Sequence, residues 1–208
     1  MKITAIQPQQ HHAERMNVHV DGAFRFAVSA EVALAELLRV GDEIDDARIA
    51  ALEARDEAWK AREAALSLLS HRPRAAEELR RRLVRKGFGD EVAEATVEKL
   101  GGAGLVDDAA FAESFVRDRV RLRPHGRRRL RQELRAKGVD EETAGAAIDG
   151  VVGEDGEVEV ELARRAAARW RPRVGEEPDR ARRRLHGFLA RRGFGGDAIR
   201  AVLEEKLG

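Results

Sequence analysis

Leu79-Arg80-Arg81-Arg82-Leu83-Val84-Arg85-Lys86-Gly87-Phe88 is the stretch from which the architecture can be read. Leucines at i and i+4 share one face of a helix, a cation in the last turn meets the negative end of the helix dipole, and Gly87 suits a left-handed position just past the end. The same offsets recur at Leu130, Leu134, Lys137, Gly138, Val139 and at Leu185, Leu189, Arg192, Gly193, Phe194. Successive glycines stand 51 and 55 residues apart, and nine residues beyond Phe88, Val139 and Phe194 come Val97, Ile148 and Leu203. Three copies of one unit are expected.

Working outward, the periodicity predicts three helices per unit: about 55–70, 75–86 and 90–101, then 108–122, 127–137 and 140–151, then 156–170, 179–192 and 196–207. Asp107 or Asp108 can cap the helix that opens the second unit, and Asp179 the one that follows Pro178. A unit this short buries little core by itself, so a mainly α fold is expected in which three three-helix repeats stack into an elongated, possibly curved array. The expected division is an N-terminal extension over 1–57 and repeats over 58–104, 105–155 and 156–208.

The N-terminal part has a different period. Met16, Val18 and Val20 alternate, Asp21-Gly22 supplies turn chemistry, and Phe24, Phe26 and Val28 alternate again, which predicts a β-hairpin. A three-residue Asp21-Gly22-Ala23 loop would pair Val20 with Phe24, Val18 with Phe26 and Met16 with Val28, and is preferred over a two-residue loop that pairs Val18 with Arg25. Lys2 to Gln7 can add a strand, and Ser29 can cap the helix that follows.

The 208 residues hold 39 Lys+Arg and 38 Asp+Glu for a net charge of +1, so a whole-molecule field able to capture polyanions is excluded. Any attraction to nucleic acid has to be local. Charged residues make up 37% and aromatics 4%, a composition that favours helices with small-residue cores. There is no cysteine, hence no disulfide framework and no thiolate site, and no apolar run long enough for a signal or a membrane span; a cytoplasmic protein with no membrane contact is expected.

Charge is laid out in blocks. Residues 117–137 carry ten cations and two acids for +8, residues 164–192 carry eleven Arg and three acids for +8, residues 139–161 carry nine acids and no cation, and residues 42–57 sum to −5. Arg128, Arg131 and Arg135 stand at i, i+3 and i+7 on a face different from Leu130 and Leu134, and Arg117 and Arg121 form an i, i+4 pair one helix earlier. Two adjacent helices could thus present one basic surface. Arg127 and Lys137 in the same run, Arg80 in the first unit, and Arg169 and Arg183 in the third complete the candidate partner- and DNA-binding residues. Each such arginine must be weighed against a merely solvated helical face, but clusters of +8 that gained nothing would destabilise their own fold.

Catalytic chemistry finds little footing. No P-loop is present, the glycine clusters near residues 87, 102 and 194 follow helices and read as helix stops, and His11, His12 and His19 lack the spacing of metal ligands. The carboxylates fall at positions expected to face solvent, without an apolar pocket to raise a pKa. Trp59 and Trp170, each placed in the first helix of its unit, are expected to pack rather than to stack bases. Neither an enzyme nor a cofactor is indicated.

The run Leu68-Leu69-Ser70-His71-Arg72-Pro73-Arg74-Ala75-Ala76-Glu77-Glu78-Leu79, continued by Arg82-Leu83 to Lys86-Gly87-Phe88, then Gly104-Leu105-Val106-Asp107-Asp108 with Phe111-Ala112, and Gly126 through Arg129-Leu130-Arg131-Gln132-Glu133-Leu134 to Lys137-Gly138-Val139, strongly resembles the RecX family of RecA regulators. The resemblance covers about residues 60–208, and the strand-bearing N-terminal part resembles an extension found in some members. It implies a negative regulator, acting as a monomer, that binds the groove of the RecA–DNA filament and suppresses ATP hydrolysis, strand exchange and co-protease activity, with weaker contacts to single- and double-stranded DNA through phosphates. Ala75 departs from the family's usual Ser, which removes the hydroxyl half of a capping box with Glu78 and is expected to weaken that helix start by ~1 kcal/mol. The third repeat matches least, with Arg192 for Lys and a long connection from Pro172 to Pro178. A sequence-nonspecific DNA-binding protein that uses the same basic patches without RecA is the competing expectation.

Overall fold

The computed structural model describes residues 1–10, 12 and 14–208; His11, one of the three histidines considered above, lies outside them. Three strands, β1 (Ile3–Pro8), β2 (Arg15–Val20) and β3 (Ala23–Ser29), precede α1 (Ala30–Ala35), α2 (Asp46–His71), α3 (Ala76–Arg85), α4 (Asp90–Gly102), α5 (Asp108–Leu122), α6 (Arg127–Lys137), α7 (Glu141–Val152), α8 (Glu157–Ala167), α9 (Pro178–Arg191) and α10 (Gly196–Leu207). The chain divides into two compact units. One comprises Met1–Arg72 with Leu79–Leu100, the other Pro73–Glu78 with Gly101–Gly208.

In the first unit the strands form an antiparallel sheet in the order β1-β2-β3. Val18 pairs with Phe26 and Met16 with Val28 as expected, but Val20 pairs with Ala23 and His19 with Phe24. The loop is therefore the two-residue Asp21-Gly22, both at positive φ (49° and 86°), the mirror-image turn whose twist matches that of the strands. A bulge between Val18 and His19 absorbs the extra residue and restores Phe26 and Val28 to the buried face. That face, with Ile3, Val18 and Val20, packs on Val32, Ile44, Ile49 and Leu52. Ser29 caps α1 by accepting from the Val32 N–H.

Asp56 of α2 holds this unit together from inside. Its side chain is 2% exposed, accepts from the Ser29 N–H at 2.6 Å and from Arg15 Nη2 at 2.9 Å, and pairs with Lys60 at 2.7 Å. Burial opposes ionisation, but these donors more than offset it and keep the carboxyl below its ordinary range. The expectation that the carboxylates face solvent fails here, because the sheet edge brings an arginine and an unpaired N–H to this one position. In α3 and α4, Leu79, Leu83, Ala93, Val97 and Leu100 are buried.

The second unit contains two of the repeats around one core. Leu130 and Leu134 of α6 and Leu185 and Leu189 of α9 are fully buried beside Val139, Ile148, Phe194 and Leu203, the residues the repeat pattern singled out. Each such side chain contributes about 1.5–3 kcal/mol relative to exposure. The three anchoring glycines, Gly87, Gly138 and Gly193, all adopt positive φ after their helices.

The second helix of a repeat is closed at its start by the first helix of the repeat that follows. Asp108, the first residue of α5, accepts from the Ala76 N–H at 2.7 Å. Glu159 of α8, 8% exposed, accepts from the Arg127 N–H at 3.1 Å and from the Gly195 N–H at 3.2 Å, so that one carboxylate caps both α6 and α10. Ala75 therefore leaves the start of α3 with a carboxylate supplied from α5 in place of its own hydroxyl. Alongside Glu159 the backbones touch: the Gly126 N–H donates to Arg192 O at 2.9 Å and the Arg128 N–H to Gly193 O at 3.2 Å. A Cβ on Gly126 would lie 2.3 Å from Gly193 O, and one on Gly193 2.3 Å from the Arg129 N. α9 starts differently from α3 and α6. It begins at Pro178 with Glu177 before it and no side-chain cap, so Asp179 lies in its first turn instead of capping it.

One further expectation changes. α8 stops at Ala167, which leaves Trp170 buried in the connection beyond it and not in the helix. Arg184 of α9 lies over the Trp170 ring, 4.5 Å from its centroid.

Candidate partner-binding surface

The basic run occupies α5, α6 and the short link between them. Glu133 of α6 accepts from Arg119 Nε of α5 at 2.6 Å and from Arg129 Nε at 2.9 Å, and His125 Nδ1 stands 3.4 Å away. Burial works against the Glu133 charge, yet the two guanidinium groups hold its carboxyl below the ordinary range. Burial also lowers His125, and Arg119, Arg129 and Arg192 add to this against the opposing pull of Glu133, so the ring is neutral at pH 7. None of these contacts was legible in advance. The available signal was that Glu133 is the only acid between Arg119 and Lys137.

The Arg119–Glu133 pair fixes which sides of α5 and α6 face each other. At about 100° per residue, Arg117 and Arg121 stand about 160° round α5 from Arg119, and Arg128, Arg131 and Arg135 stand about 140–160° round α6 from Glu133. The two clusters therefore occupy outer flanks of different helices, where a single joint surface was expected. Both remain exposed to a partner.

Individual arginines differ sharply. Arg117 pairs with Glu113 at 2.5 Å and Arg121 with Asp118 at 3.3 Å, all four of them exposed. Arg131 meets Glu141 of α7 at 2.8 Å. Arg128 and Arg135 are exposed and have no ion-pair partner among the described residues. Arg127 turns inward, its guanidinium on Asp149 and on the carbonyl of Gly153. Lys137 lies 3.6 Å from Glu78 and over the Phe111 and Phe115 rings. Arg169 and Arg183 are exposed in the third repeat, and Arg80 pairs with Asp90 at 2.6 Å in the first unit.

Acidic neighbours begin where α6 ends. Asp140 caps α7 by accepting from the Thr143 N–H at 2.9 Å, which holds its carboxyl below the usual range, and Glu141 and Glu142 follow in the first turn, where the helix dipole favours them. Arg135, Asp140 and Glu141 line a shallow depression at the α6–α7 turn with Gly138 and Val139. A cationic flank thus borders an anionic helix start within a few residues. Such a border can recognise a surface that itself alternates in sign.

Among the described residues no cluster of three His, Cys, Asp or Glu is placed to hold a metal ion, and no helix is long and apolar enough to cross a membrane. The class of protein so defined is a tandem three-helix repeat protein with charge-banded outer faces.

Models of the RecX family match it along most of its length: the RecX N-terminal domain over 1–45, and the first, second and third three-helix domains over 61–100, 107–148 and 157–203. A regulatory protein RecX from Amycolatopsis mediterranei is 42% identical over 149 residues, 71% of this chain and 83% of that one, and one from Clostridium botulinum is 28% identical over 99% of this chain and 96% of its own. A crystal structure of a regulatory protein RecX superposes with a TM-score of 0.76 at 29% identity over 98% of both chains, and that of RecX from Lactobacillus salivarius with 0.60 at 25% identity over 73% of this chain and 97% of its own. The chain belongs to the RecX family.

Proposed function

We propose that the chain is a negative regulator of the recombinase RecA that occupies the groove of the RecA–DNA filament and inhibits its ATPase, strand-exchange and co-protease activities. It acts as a cytoplasmic monomer without catalysis of its own, through an extension over 1–57 and repeats over 58–104, 105–155 and 156–208. The observation that carries this reading is the border on α6 and α7, where Arg135, without an ion-pair partner among the described residues, stands within a few residues of Asp140, Glu141 and Glu142, and Arg128, likewise without one, extends the cationic flank to the start of α6. A filament groove offers acidic and basic protein walls over a floor of phosphate, and a sign-alternating face gains register as well as rate from such a target. The same two arginines favour a second reading, a DNA-binding protein that contacts phosphates without RecA.

ATP turnover by RecA on single-stranded DNA, followed while the chain is added at substoichiometric amounts, separates the two readings. Inhibition is expected, and its absence at every dose removes the first reading. Charge reversal at Arg128, Arg131 and Arg135 should weaken inhibition; full inhibition by that variant rejects this face as the filament contact. Under the second reading about six phosphate contacts on a single strand give log affinity for bare DNA a slope near −4 against log salt.

A further inference from the structure

The connection between the first and second helices of a repeat is short in two cases and long in the third. Residues 72–75 join α2 to α3 and 123–126 join α5 to α6, whereas 168–177 join α8 to α9. The extra residues form a fixed projection. Val174 and Gly175, the latter at φ 71°, are the central pair of a turn closed by the Glu176 N–H donating to Arg173 O at 3.0 Å. Glu176 is turned inward, its side chain 4% exposed, and accepts from the Arg173 N–H at 2.9 Å and from Arg184 Nε and Nη2 at 3.0 and 2.8 Å. Arg184 also donates to Arg171 O at 2.9 Å and lies over Trp170, so one side chain of α9 fastens both legs of the turn. Pro172 keeps Arg171 extended.

At the tip of this fastened turn Val174 is fully exposed. A side chain left in water at the apex of a rigid loop contributes nothing to the fold. It is flanked by Arg169 and Arg173, exposed and without ion-pair partners among the described residues, and by Arg171, whose guanidinium caps the carbonyls of Ala168 and Trp170 while keeping its charge uncompensated. Of the two acids in the connection, Glu176 is buried behind the turn and Glu177 is exposed where α9 begins.

We propose that residues 169–175 are a binding site for duplex DNA, with the extended Arg171-Pro172-Arg173 tip lying in the minor groove and Val174 as an apolar wedge against the base edges. The minor groove, about 6 Å wide, admits an extended strand and excludes a helix, and where A·T tracts narrow it the potential draws arginine in. Apolar side chains set among basic ones are the chemistry with which proteins enter that groove. An acidic protein surface would be met as well by the flexible arginines of α9, without a rigid apex or an apolar tip. The site is measured on bare DNA and does not rest on the RecA reading.

The test is fluorescence anisotropy on a short labelled duplex that carries an A·T tract. The Arg169→Ala/Arg173→Ala variant should bind about tenfold more weakly and lose about 1.8 from the slope of log affinity against log salt. Val174→Ser should weaken binding with the slope unchanged. Netropsin, which fills the A·T minor groove, should compete. Unchanged affinity in either variant, or indifference to netropsin, overturns the proposal. So does a double variant that keeps its duplex affinity and loses only the inhibition of RecA, since the tip would then be a protein contact. Loss of duplex affinity with inhibition of RecA intact supports the site and leaves the regulatory reading standing.

Discussion

Asp56→Ala would leave the Ser29 N–H without its acceptor and Arg15 with only the Ala27 carbonyl inside the first unit. Removing one partner of a buried ion pair costs about 3–5 kcal/mol, and urea unfolding of that unit should show a loss of this size. Arg127 and Arg128, adjacent in a row of three arginines, should behave oppositely. Arg127→Ala releases Asp149 and the Gly153 carbonyl and should cost about 1.5 kcal/mol, whereas Arg128→Ala should stay within about 0.5 kcal/mol while weakening inhibition of RecA. Nothing local distinguishes the two in the sequence, because the carboxylate that claims Arg127 lies 22 residues away. The outward placement of Arg128 was legible through its spacing from Leu130 and Leu134; the inward turn of Arg127 was not.

At the scale of the element, the leucines at i and i+4 and the glycine that ends each second helix were plain in the sequence, since both follow from contacts within a few residues. The junction of α6 with the α9–α10 turn was not. Gly126 has φ −79°, which any residue adopts, and its need for hydrogen in place of a side chain comes from the Gly193 backbone 67 positions on. Gly126→Ala should cost about 3 kcal/mol, the upper end of overpacking, because backbone yields less than a side chain. Glu159→Ala removes two helix caps and should cost about 2 kcal/mol; Glu159→Gln keeps an acceptor and should cost less. Both are read from the urea midpoint of the second unit. Glu176 gives a pH signature: its bonds to Arg184 and the Arg173 N–H lower its pKa from 4.5 to about 2. The folded value lies below the unfolded one, so its contribution is complete above about 4.5 and is lost as pH falls from there towards about 2. Acid unfolding followed by Trp170 fluorescence should show that dependence, and Glu176→Gln should flatten it.

For the molecule as a whole, near-neutrality is the informative number. With a net charge of +1, association has to come from local faces in register with the partner, so raising the salt concentration should weaken inhibition of RecA by the chain less steeply than it weakens inhibition by a uniformly basic protein. Dose–response curves at two salt concentrations check this. The repeat count and the blocks of charge could be read from the sequence at this scale. What could not be read was how much of each block the fold keeps for itself, as with Asp149 for Arg127, Glu133 for Arg119, and Glu159 for the backbone of two helices. A chain ended at Val152 should lose more helix by circular dichroism than the residues it lacks, since α6 would start with no carboxylate for the Arg127 N–H.

That dependence gives the protein a direction in time. On the ribosome the middle repeat emerges before the carboxylate that closes it; at about 5–20 residues per second, Glu159 follows Arg127 by roughly two to six seconds. Until then the nascent module has an open end that its successor must shut. The third module needs no such closure, because its second helix opens on Pro178, a residue with no N–H left to satisfy.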